Sequence, residues 1–149
     1  MKSFYFTSDE QKQYALACLK FAKRLGLIDD DSLEGVAKRC DDENERRLKS
    51  LESGEIVYGL KEFTLPVYLD YELTRFKLDF VSQSSKIKSY QFKPIDNKEL
   101  KAYFKDNKDL FTRYSGDKFR FKESKTVIHK KIREEQYDDE IKAILCQLS

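Results

Sequence analysis

Apolar residues recur at spacings of three and four along most of the chain, and each run opens with a capping residue, so the pattern predicts a mostly helical protein. Thr7 with Glu10 three residues later sets the first start, and Tyr14, Leu16, Cys18, Leu19, Phe21, Ala22 and Leu25 mark an apolar side that stops at Gly26. Asp31-Ser32-Leu33-Glu34 repeats the start. Val36, Ala37, Cys40, Asn44, Arg47, Leu48 and Leu51 then continue to Gly54, predicting a long second helix. Residues 55–63 read as a connector hinged at Gly54 and Gly59, with Ile56, Val57 and Tyr58 as apolar anchors. Thr64-Leu65-Pro66 restarts a helix, because threonine caps and proline is tolerated in the first turn.

That third helix carries Leu65, Tyr68, Leu69, Leu73, Phe76, Phe80 and Val81 on a broad apolar face. Residues 86–94 alternate with a period of two until Pro94, predicting a short strand or an extended linker, one short extended segment in either case. Asp96-Asn97-Lys98-Glu99 caps a short helix, a turn is expected at Ser115-Gly116-Asp117, and the spacing from Lys122 to Leu148 predicts a long closing helix. The expected fold is a single mainly α domain over residues 1–149. Its first and last helices share a core that includes Leu16, Leu19, Phe21, Ile132, Ile141 and Leu145, since either apolar face alone would stay in water.

Composition agrees with folding. Leu, Ile, Val and Phe make up 40 of 149 residues, and charged residues 38%, with a net charge of +2. No apolar run is long enough to span a membrane, and the N-terminus turns polar before any secretory apolar region forms; the expected location is the cytoplasm. Charge is uneven: residues 29–45 are strongly acidic, whereas 86–133 are basic, which admits nucleic acid as a partner of the second half.

Candidate chemistry is sparse. Cys18, Cys40 and Cys146 have no C-x-x-C spacing and only His129 to join them, so neither a zinc site nor a disulfide framework is expected. Cys18 and Cys146 read as small hydrophobes on helix faces. Asp41-Asp42 and Asp138-Asp139 lack calcium-loop spacing, and no glycine-rich phosphate loop occurs. No metal, no cofactor and no catalytic residue are expected, and hence no enzyme. The 20 Tyr and Phe residues are the stronger signal. Tyr58, Phe63, Tyr68 and Tyr71 are the candidate polypeptide-binding residues, because aromatic rings give large contact area at small entropic cost.

Asn44-Glu45-Arg46-Arg47, then Gly54-Glu55-Ile56-Val57-Tyr58-Gly59 with Phe63, Tyr68 and Tyr71, resembles the N-terminal helical region of SurA-like, parvulin-associated peptidyl-prolyl isomerases. The stretch from Lys98 to Phe111 and the span from Val127 through Tyr137 to Ile141 resemble later segments of the same chaperones. The chain leaves no room for a parvulin catalytic domain, so the resemblance implies a non-catalytic, chaperone-like module that binds extended or partly folded polypeptide. The alternatives are a partner-specific adaptor and a nucleic-acid binder using 86–133. Self-association is a further partner state that the pattern allows.

Overall fold

The computed structural model describes residues 3–112 and 119–148. Among the described residues five helices follow in order: α1 (Asp9–Leu25), α2 (Leu33–Glu52), α3 (Leu65–Val81), α4 (Asn97–Asp106) and α5 (Phe121–Leu148), with a 3-10 turn at Lys108–Phe111. The fold is mainly α, and the N- and C-terminal helices pack on one another as the pattern predicts. The turn expected at 115–117 lies outside the described residues.

Local chemistry sets the helix ends. The first cap is Ser8, one residue beyond Thr7; its hydroxyl accepts from the Gln11 amide, while Gln11 Oε1 accepts from the Thr7 hydroxyl. Ser32 and Asp96 cap α2 and α4 in the same way. Thr64 sits at the α3 start without a side-chain cap, leaving Pro66 to organise the first turn. Gly26 closes α1 at φ 84°, a left-handed conformation that glycine takes without a Cβ clash. Gly35 is needed for space: a Cβ there would lie 2.6 Å from the Asp30 side chain, which folds back over the start of α2.

α5 is the axis against which α1, α3 and α4 pack, and α2 covers α3. α1 is a shared wall. Ala15, Leu19 and Ala22 face a core formed with Val36, Cys40, Tyr68, Leu69 and Phe76. Ala17, Cys18, Phe21 and Leu25 face a second core with Phe80, Ile87, Tyr137, Ile141 and Ile144. Small residues on both sides let the neighbouring helices approach closely. A third cluster, Leu100, Phe111 and Ile128, fastens α4 to the start of α5.

Several expectations change. Leu19, Phe21 and Ile141 are core as predicted, whereas Leu16, Ile132 and Leu145 are half-buried, because α5 turns Ile128, Tyr137 and Ile144 inward. Cys146 is exposed instead of lying on an apolar face; Cys18 and Cys40 are buried. Residues 86–94 form no strand. An extended segment without a neighbouring strand cannot pair its backbone, and here Tyr90 and Phe92 fold onto Phe80, with ring centroids 5.2 and 5.0 Å away. Arg133, one of the basic residues of the second half, is 2% exposed. Its guanidinium donates to Gln83 Oε1, Gln136 Oε1 and the Lys93 carbonyl, and it lies 5.1 Å from the Phe92 ring. Among the described residues no helix is long and apolar enough to cross a membrane.

Candidate functional site

A cleft of about 390 Å³ opens where α3 crosses between α1 and α5. One stripe of α3, spaced by three and four residues, supplies Asp70, Leu73, Thr74, Lys77, Leu78 and Val81; α1 adds Tyr14, and α5 adds Lys130 and Glu134. The volume lies within the usual range of small-ligand clefts. Leu73, Leu78 and Val81 give it apolar surface, while two carboxylates, two ammonium groups and the Tyr14 and Thr74 hydroxyls provide its polar groups. The charges balance, so the cleft offers hydrogen-bond donors and acceptors without a strong preference for an anion or a cation.

The polar groups are anchored. Lys77 Nζ lies 3.0 Å from Asp138 Oδ1 and 5.9 Å from the Tyr137 ring centroid, and Lys130 Nζ is 4.0 Å from Glu134 Oε1. Burial pushes the Tyr14 phenol up to about 12, with Cys18 and Asp138 adding to the effect, so at neutral pH it remains a hydrogen-bond donor. Behind it, burial raises the Cys18 thiol to about 11. The Tyr137 hydroxyl is also raised by burial, and the Cys18 thiol beside it adds to the effect. Among the described residues no group of three or more His, Cys, Asp or Glu is placed to hold a metal ion.

The four aromatic residues singled out in the sequence separate. Phe63 and Tyr68 are core, Tyr71 is half open and Tyr58 projects into solvent. Phe63 packs against Tyr68 at 5.3 Å and Tyr71 at 5.4 Å, so three of the four form one cluster. Tyr58 joins it through Arg47, which donates to the Tyr58 and Leu60 carbonyls and places its guanidinium 4.7 Å from the Phe63 ring. The connector is fixed a second time by Asn44, which donates to the Phe63 carbonyl at 3.0 Å and accepts from its amide at 2.7 Å. Sequence reasoning missed the cleft. Its available signal was that α3 is apolar around more of its circumference than one core contact requires.

No protein-family model matches the chain, and no curated protein matches it. Two solved structures of the GH136 lacto-N-biosidase from Eubacterium ramulus, the native protein and its selenomethionine derivative, are similar to it: each has a TM-score of 0.74 and 23% identity over 91% of this chain. The chain spans 28% of the length of that enzyme. At this identity the likeness establishes a shared fold. It overturns the expectations of a non-catalytic, chaperone-like polypeptide binder and of no enzyme. Amphipathic helices specify how a chain packs and leave its function open; this packing recurs within a glycoside hydrolase.

Proposed function

We propose that this chain is the helical part of a glycoside hydrolase and that its cleft handles oligosaccharide. The observation that supports this reading is the asymmetry of the structural likeness: 91% of this chain is accounted for by 28% of a lacto-N-biosidase. A nearly whole chain matched to a fraction of an enzyme reads as a module of that enzyme type. The cleft suits such a ligand. A sugar ring has hydroxyl edges and C–H faces, and the cleft combines Tyr14, Leu73 and Val81 with Asp70, Thr74, Lys77 and Glu134. Asp70 and Glu134 are also the residue type that glycoside hydrolysis employs in pairs.

Titration of isotope-labelled protein with the disaccharide lacto-N-biose, followed by NMR, tests this function. Amide shifts gathered around Tyr14, Asp70 and Lys77, and weakened about tenfold by Asp70→Asn, are expected. A full titration with no shifts, or shifts remote from the cleft, contradicts the reading.

A further inference from the structure

Arg133 is a buried cation whose hydrogen-bond partners are all neutral. Its Nε donates to Gln83 Oε1 at 3.2 Å, one terminal nitrogen to Gln136 Oε1 at 2.7 Å and the other to the Lys93 carbonyl at 2.6 Å. These bonds leave N–H groups of the guanidinium to spare. Among the described residues no carboxylate comes within ion-pair distance of it. Burial pushes the guanidinium below its ordinary range, and Tyr90 and Glu99 act against that shift without reversing it. A buried charge ordinarily has a partner of opposite sign. Here there is room for one, because Arg133 forms part of the wall of a cavity of about 300 Å³.

The guanidinium is also held still. Gln83 follows the C-cap of α3 at φ 53°, the left-handed conformation that glycine usually supplies at such a position, and its carboxamide fixes Nε. The Phe92 ring lies 5.1 Å from the guanidinium carbon. A donor fork fixed before a ligand arrives loses little freedom on binding it.

The other walls carry charge of both signs. The segment between α3 and α4 supplies Tyr90 and Lys93, and α5 supplies Gln136, Asp139 and Glu140. Among the described residues Lys93, Arg133, Asp139 and Glu140 form no ion pair, with one another or elsewhere. Arg133, Gln136 and Glu140 follow at spacings of three and four on one stripe of α5, so the first and last stand about 10 Å apart along the axis. Tyr90 lies within reach of both: burial and then Glu140 raise its phenol, and Arg133 lowers it. The cavity therefore has a basic end and an acidic end. A simple anion is repelled by one and a simple cation by the other.

We propose that this cavity binds a small, extended zwitterion, its carboxylate on Arg133 beside Lys93 and its ammonium at Asp139 and Glu140. The Tyr90 ring offers the intervening carbon chain an apolar wall. The cavity shares no lining residue with the cleft of Tyr14 and Asp70, so the proposal stands apart from the oligosaccharide reading.

Titration of isotope-labelled protein with 6-aminohexanoate, followed by NMR at the amides of residues 90–93 and 133–140 and at the Arg133 Nε–H, tests it. Saturable shifts at these groups are expected, with the singly charged hexanoate and hexylamine binding at least about tenfold more weakly. Because Arg133 is also part of the packing, the variants are Lys93→Gln and Glu140→Gln, one at each end, and each should weaken binding about tenfold. Four results overturn the proposal: hexanoate or hexylamine binding as well as the zwitterion, an unmoved Arg133 Nε–H, either variant binding like the parent, or no saturation at tens of millimolar.

Discussion

Replacing Asn44 with alanine tests how the connector between α2 and α3 is held. The Asn44 amide pairs with both backbone groups of Phe63, in the manner of a neighbouring strand, and Phe63 is 6% exposed. Alanine removes both of these hydrogen bonds, each worth about 0.5–1.5 kcal/mol net, together with a weaker one from Asn44 Nδ2 to Cys40 Sγ at 3.7 Å, and leaves a shielded amide and carbonyl that the connector can rehydrate only in part. The expected loss is about 2–3 kcal/mol, which for a chain of this length lowers Tm by roughly 5–10 °C. Asn44→Asp discriminates further. It keeps the acceptor for the Phe63 amide but turns the donor into a carboxylate facing a carbonyl, so it should lose at least as much as alanine at neutral pH and recover part of the loss in acid. Urea melts of the three proteins by circular dichroism measure this. A loss below about 0.5 kcal/mol for Asn44→Ala would refute the reasoning, since the connector would then hold its place without the amide.

Three further outcomes are expected. Glu72 is buried and bonded by Arg39 at 2.7 and 3.0 Å, so Glu72→Ala should cost about 2–3 kcal/mol in urea melts, while Arg39→Met with Glu72→Leu should stay within about 1 kcal/mol of the parent; equal losses would contradict the charge-burial argument. The Tyr137 hydroxyl is buried beside the Cys18 thiol, a weak hydrogen-bonding group, so Tyr137→Phe should leave thermal stability unchanged or raise it by about 1 kcal/mol, and a marked loss would reveal a strong bond. Hydrogen bonds from Arg46 and then Arg47 hold the Glu43 carboxyl below its ordinary 4.5. Its folded value is the lower one, so its contribution is full above the unfolded value and fades as pH falls through the folded one. Glu43→Gln should therefore flatten the loss of stability between about pH 5 and 3, and an unchanged slope would count against the pairing.

Much of the architecture was legible because helices announce themselves locally. Ser32, Asp96 and Gly26 act at helix ends in the ways that their side chains, or the lack of one, dictate. What a single sequence hides is which apolar face meets which neighbour. Tyr14 belongs to the apolar run of α1 yet sits at its edge, half open to the cleft. Asn44 and Arg47 fall on the apolar stripe of α2 because they bond a connector that no periodicity reveals. Arg133 reads as one more solvated cation and is instead buried among Gln83, Gln136 and Lys93, contacts set by tertiary packing. Phe63 and Tyr58 look alike in the sequence. The backbone turn at Gly59, φ 82°, lies between the exposed ring and the core one. The cleft needs three helices at once, so no window along the chain contains it.

The proposed role within a glycoside hydrolase is tested most directly on the native assembly. The native assembly, isolated through a tag on this chain, can be assayed for release of lacto-N-biose from a chromogenic lacto-N-bioside. Hydrolysis that co-purifies with the tagged chain and falls about tenfold when the cleft carries Tyr14→Ala is expected. An assembly that hydrolyses neither this substrate nor any other glycoside in a broad panel would contradict that role.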